Sequence, residues 1–330
     1  MPAYFDTGFA VREPSWHGQE TLLEDYPENW DDARRAAGLM WEPTTAPIFI
    51  AGPNSGIGNV QVAGRQAIVR DDTGDLLHVA SDAYSVITHA DMGTIIDAVL
   101  DTDTNVRFET AGSVKDGAMV WALVRLDEPY QVPGDDSPTY PFMAMLNAHD
   151  GSASCSLTMT DIRVVCWNTW QAADDQGERS GARHVFRHTG NVQERIAAAK
   201  DALTNLRTES ARTRAMFEEL AKVPVNDSQV KDFTQLFLPS PADRGEHCSD
   251  RVAANVDKAR ATFAGLYERS LTTDGIRGTA YGLLQASTEY LDHVRGFRNR
   301  DSYVGRTILR PEALKAKALG LIREVAAVAA

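Results

Sequence analysis

The sequence predicts an α+β protein: an antiparallel sheet with a crossing helix in the N-terminal half, followed by an all-helical C-terminal half. Three observations predict it. As far as Gly190 the apolar residues come in short runs bounded by turn residues, the texture of strands. Beyond Gly190 they recur at the spacing of one helix face. Within the first part a single helical run interrupts the strands, and strands followed by helices make an α+β layout. The expected division is a core domain over residues 1–190 and a helical domain over 191–330, with no flexible linker between Arg187 and Val192.

The elements follow in order. The first sixty residues read as loop-rich, with one short helix over Pro27–Ala37 that has Pro at its start and Gly38 past its end. Strands are expected at Ala46–Ala51, Val60–Arg70 and Leu76–Val79, the last two joined by a turn at Asp71–Gly74. Val86–Leu100 reads as a helix capped by Thr88, with Met92, Ile95, Ile96 and Val99 on one face. A hairpin over Val106–Val114 and Met119–Leu126 turns at Lys115–Gly117. After a Pro-rich loop, strands follow at Phe142–Ala148 and from Ala153 to Thr158 or beyond, while Ile162–Asn168 reads equally as a strand or a helix start. Helices are expected at Val192–Val223, Ser228–Phe237, Arg251–Arg269, Thr279–Val294 and Pro311–Val328.

Composition narrows the functions. The 330-residue chain carries a net charge of −13, unevenly spread. Residues 1–150 hold 8 Lys+Arg against 24 Asp+Glu, or −16, and residues 151–330 hold 25 against 22, or +3. Such a balance opposes sequence-blind coating of DNA but leaves room for a focused site on a local basic cluster. The basic clusters visible along the chain lie at 179–214 and 293–310. No run of about 18 apolar residues exists, so no membrane span is expected. The N-terminus lacks the pattern of a secretory signal, and three cysteines without CxxC spacing fit a reducing cytoplasm.

Each chemical motif has a structural competitor. The Gly-rich run Ala51–Gly58 lacks the Lys-Ser/Thr ending of a phosphate loop and reads as a hairpin loop. His184 and His188 have helical metal-ligand spacing, but Arg183–Gly190 looks extended, and four strand residues span about 13 Å. With Arg183 and Arg187 interleaved, that strand reads either as a phosphate-holding edge or as a charged edge that prevents aggregation. Cys166 with His149 and Asn147 or Asn168 imitates a thiol nucleophile with base and orienter, although Cys155 and Cys166 both sit in apolar surroundings that favour inert core roles. Asn147-Ala-His149-Asp150-Gly151 is a polar elbow between two apolar strands, suited to a turn. Trp170 and Phe186, near Arg163, Arg183 and Arg187, could stack on unpaired bases, whereas Trp167 reads as a core residue. No cofactor is implied.

Ordered blocks run along the chain, among them Pro14-Ser-Trp-His-Gly18, Ala37-Gly-Leu-Met-Trp41, Ala67–Gly74, Glu109-Thr-Ala-Gly112 and Val120-Trp121. They continue through Leu146–Gly151, Arg163–Thr169, Arg187–Gly190, Gly278-Thr-Ala-Tyr281 and Thr288–His293. On these blocks the chain resembles a phage/plasmid-like protein family catalogued as a domain of unknown function (DUF 932). The resemblance implies a setting on bacterial mobile elements, hence the cytoplasm of a bacterial host, and it brings no activity. A hairpin, a helix across it and further antiparallel strands is also similar to the layout of Rad-type single-strand annealing recombinases. The leading expectation is therefore a non-enzymatic, homo-oligomeric protein that binds single-stranded DNA and promotes annealing. Arg163, Arg183, His184, Arg187 and His188 would contact phosphates, with Trp170 or Phe186 stacking on bases. The alternatives are an acidic module that sequesters a host protein, and a hydrolase built on Cys166.

Overall fold

Strands need neighbours to pair their backbone groups, and this chain arranges its own in two open sheets. The computed structural model describes residues 5–12, 20–52, 58–100, 106–126, 129–163, 168–171, 183–186, 192–295 and 313–326. Its strands are β1 (Phe5–Val11), β2 (Thr21–Leu23), β3 (Pro43–Ile50), β4 (Val60–Arg70), β5 (Leu76–Ser81) and β6 (Arg107–Val114). They continue with β7 (Met119–Arg125), β8 (Thr139–Ala148), β9 (Cys155–Arg163), β10 (Asn168–Gln171) and β11 (Arg183–Phe186). The helices are α1 (Trp30–Ala36), α2 (His89–Leu100), α3 (Val192–Lys222), α4 (Asp227–Phe237), α5 (Asp250–Arg269), α6 (Ala280–Glu289) and α7 (Ala313–Val325). A π turn at Tyr290–Val294 extends α6. The α+β class and its order hold.

The larger sheet runs β10-β9-β8-β7-β6-β1-β2, and the smaller β3-β4-β5. All pairs are antiparallel except β1 with β2. Along one edge of β9, β11 pairs with residues 155–158 and β10 with 160–163, so the two behave as one interrupted strand. The expected hairpin turn is present, with positive φ at Lys115, Asp116 and Gly117. Asp6 accepts the amides of Asp116 at 3.0 Å and Gly117 at 2.7 Å, which fixes this strained tip from a neighbouring strand. Gly117 is required twice over, because a Cβ there would stand 2.6 Å from the Trp41 ring.

Period-2 alternation divides the strands between two apolar layers. Val120, Ala122 and Val124 face the core shared with Trp30 of α1 and with Met92, Ile95 and Ile96 of α2, while Trp121 and Leu123 face a layer with Phe142 and Leu146. Thr88 caps α2 as expected, in a reciprocal pair with Asp91 at 3.0 Å each way. α1 starts at Trp30, later than Pro27, because Asn29 caps it by accepting the Asp32 amide with its side chain.

One expectation needs correction and one open alternative is decided. The N-terminus is not simply loop: β1 lies between β6 and β2, and Phe9 and Ala10 are fully buried. Its Asp6-Thr-Gly8 start shows no apolar alternation, so only pairing with β6 reveals it as a strand. For Ile162–Asn168 the strand alternative applies where the chain is described, since Ile162 and Arg163 complete β9 and Asn168 opens β10.

The helices pack around Phe217, Phe233, Phe237, Phe263, Tyr281 and Tyr290. That core also takes Tyr130 and Val132 from the loop before β8, so burial crosses the expected boundary at residue 190. Among the described residues no helix is long and apolar enough to cross a membrane.

Candidate functional site

The polar elbow is a turn held from several sides. Gly151 has φ 72, and the Asp150 carboxylate accepts the Ser152 amide at 2.9 Å while pairing with Lys115 at 3.2 Å. Fully buried Asn147 donates to the Ile87 carbonyl at 2.8 Å, which ties β8 to the segment before α2. His149 is fully buried as well, its ring 5.5 Å from that of His89. Trp41 packs edge-on against both, at 4.4 Å to His89 and 6.2 Å to His149, and Arg70 lies 4.1 Å over Trp41 on the outside. Burial pushes His89 down to about 4, although the Leu39 and Trp41 carbonyls beside the ring favour its cation. His89 and His149 are thus packed together beneath Trp41 inside the fold.

Arg163 occupies a place that sequence reasoning did not foresee. It stands on a strand paired along both edges and buried on both faces, and its side chain is 3% exposed. The guanidinium grips Asp135 with two bonds, at 2.5 and 2.6 Å, and donates to the Thr272 carbonyl at 2.6 Å. Tyr281 of α6 donates to the same Asp135 at 3.2 Å. This network joins sheet and helices and keeps Arg163 away from any strand of DNA. Phe186 is corrected likewise, since it is 2% exposed in the main core and cannot stack on a base.

Arg183 and His184 remain partly exposed on β11, with His184 edge-on to Phe186 at 4.7 Å. Arg187, His188, Cys166 and the Trp170 side chain lie outside the described residues. Cys155 is a fully buried core residue, as expected.

Asp161, two residues from Arg163, accepts hydrogen bonds from Tyr130 and Ser210, each at 3.2 Å, and burial raises its carboxyl to about 7. It therefore opposes His89 in pH dependence. His89 stays neutral in the fold, so its contribution is present above its unfolded value of about 6.5 and is lost as pH falls towards 4. Asp161 prefers its proton, so its contribution is present below an unfolded value of about 3.9 and is lost as pH rises through 7. Between these limits the two slopes, each about 1.4 kcal/mol per pH unit at most, nearly cancel. Asp161→Asn is expected to steepen the loss of stability below pH 6.5, and His89→Gln to steepen the loss on raising pH from 4 to 7. Urea denaturation at several pH values checks this; variant curves parallel to wild type would refute it.

The most unusual surface feature lies in the acidic half. Arg12, Arg107 and Arg125 converge on Tyr26, their guanidinium carbons 5.3, 5.5 and 5.2 Å from the ring centre. Arg125 also lies 4.9 Å from the Tyr140 ring and so bridges two aromatics. Among the described residues none of the three arginines forms an ion pair, although the buried Glu109 carboxylate acts on Tyr26 from nearby. Arg107 and Arg125 are direct cross-strand partners, a placement that repels. Arg12 has φ 65, rare outside glycine. Like charge and backbone strain thus coincide where an anion would relieve the repulsion. The three arginines are far apart in sequence, so scanning for basic clusters misses them. Counting outwards from the Lys115–Gly117 turn would set Arg107 opposite Leu126, and only the register shift between Phe108 and Thr110 brings it opposite Arg125.

A family model described as Domain of unknown function (DUF932) matches residues 76–313. No curated protein and no solved structure matches the chain.

Proposed function

Because the chain belongs to the DUF932 family, whose description assigns no activity, we propose a function from the site itself: binding of single-stranded DNA, with strand annealing as its outcome. The observation that carries this reading is the group of Arg12, Arg107 and Arg125 around Tyr26 and Tyr140. Guanidiniums hold phosphates, and the partly open Tyr26 and Tyr140 rings would let bases of any sequence stack beside them. The surrounding charge of −16 over residues 1–150 limits binding to this one patch and makes it sensitive to salt. Arg183 on β11, with His184 beside it, is a second, smaller source of positive charge. The layout likeness to annealing recombinases points the same way by analogy alone.

Fluorescence anisotropy with a labelled oligo-dT strand tests the reading at low and moderate salt. Wild type should bind, and Arg107→Gln with Arg125→Gln should weaken binding roughly tenfold or more, flattening the salt slope by about 0.7 for each phosphate no longer held. Tyr140→Leu should lower affinity and leave that slope unchanged, because stacking releases no counterion. Absence of binding at about 50 mM salt rules the function out, since phosphate contacts are strongest there. In that event the competing reading, an acidic module for a basic host protein, gains from the exposed carboxylates of Asp71, Asp72 and Asp75.

A further inference from the structure

The smaller sheet breaks the rule that exposed strands are guarded by charge. Residues 43–66, which take in β3 and the first part of β4, contain one charged side chain, Arg65, in a chain that is 24% charged. Beyond Ala67 and Ile68, which are buried at its base, the hairpin is largely uncovered. Phe49 and Gln61 pair across it, as do Ile50 and Val60, and all four are exposed. Adjacent cross-strand pairs project to opposite faces, so both faces of the arm carry apolar side chains to solvent. Phe49 is 53% and Ile50 55% exposed, with Val60, Leu76 and Val79 exposed on the same sheet. Pro43 and Pro47 on the outer strand offer no backbone N–H, which discourages edge-to-edge strand pairing along that stretch. The arm is thus suited to burying side chains in a partner.

A matching receptor lies elsewhere on the same chain. The helical half carries an apolar groove of about 330 Å³, lined by Phe237, Leu238, Val252, Val256, Leu291 and Leu314. We propose that Phe49 and Ile50 of one copy seat in this groove of a second copy, building a head-to-tail oligomer. Charge decides between this arrangement and arm-to-arm pairing. Arm-to-arm contact brings together two halves of −16, whereas arm-to-groove contact sets −16 against +3. An interface between two different surfaces leaves a free arm and a free groove at the ends, so the chain grows into a ring or a filament.

Analytical ultracentrifugation of the full chain, without nucleic acid and over a dilution series, tests this independently of the DNA reading. Wild type should exceed a dimer, while Phe49→Asp with Ile50→Asp should be monomeric. Val252→Asp, an exposed change near the start of α5 where an acidic residue suits the helix, should be monomeric too. Mixing the two variants should give dimers and nothing larger, because one intact arm and one intact groove remain. Circular dichroism establishes that each variant is folded, and Phe49→Ser and Val252→Lys replace any that is not. A wild type monomeric throughout overturns the proposal. So does a Val252 variant that assembles like wild type, since the arm would then have another receptor.

Discussion

Arg163→Ala is expected to destabilise the protein by about 3–5 kcal/mol, the usual consequence of removing one partner from a buried ion pair. Asp135, its side chain 1% exposed, would keep a hydrogen bond from Tyr281 and one from the Ser137 amide but lose the cation that makes its burial tolerable. The Thr272 carbonyl would lose a donor at the same moment. Domains are typically stable by about 5–15 kcal/mol, so a large part of the total is at stake. Asp135→Leu combined with Arg163→Met should recover part of the loss, since an apolar pair carries no desolvation penalty. Urea denaturation measures both variants. The result also separates two roles for Arg163. A phosphate-binding role predicts unchanged stability and weaker DNA binding, whereas the buried network predicts the reverse order of effects. A loss below about 1 kcal/mol, in the range of a surface ion pair, would disprove the buried role.

Lys315→Met should have an effect of similar size, about 3–5 kcal/mol, confined at first to the helices. The Lys315 ammonium lies 2.7 and 2.9 Å from the two oxygens of Asp292, with side chains 3% and 0% exposed. Asp292 sits in the π turn that extends α6, and Lys315 is in the first turn of α7, so the pair pins the last helix to the family-matched region. All six tryptophans fall within residues 16–170, so their fluorescence reports on the N-terminal half, while circular dichroism follows the helices. The variant should lose ellipticity at a lower temperature than wild type, with the fluorescence transition shifted less. Coincident, unshifted transitions would remove the pair from the account of stability. Asp292→Leu added to Lys315→Met should restore part of the melting temperature.

Reading the sequence captured elements whose signals are local. The Lys115–Gly117 turn, the Thr88 cap and the helices beyond Val192 rest on turn chemistry and periodicity that operate within about one turn or one strand. β1 escaped because Asp6-Thr-Gly8 has no pattern of its own and becomes a strand through β6, about a hundred residues away. The site was legible only in part. Gly151 and Asp150 act as the turn residues they resemble, yet Arg163 and Phe186 were assigned to a surface they do not occupy. Charge and aromaticity are properties of a residue, whereas exposure is a property of everything packed around it. Trp121 and Tyr140 lie on neighbouring strands, and nothing in their own identities says which is sealed and which is partly open.

By itself, then, the sequence determined the α+β class, the run of strands before helices, the acidic first half and the DUF932 membership. Each of these depends on periodicity, composition or ordered motifs that survive without a fold. Tertiary structure alone decided which arginines meet. Pairing β1 with β6 and β6 with β7 gathered Arg12, Arg107 and Arg125 around Tyr26, and covering β9 on both faces turned Arg163 inward to Asp135. The physical reason is that repulsion, desolvation and ion pairing depend on distances of a few ångströms, and only the packed chain fixes those distances.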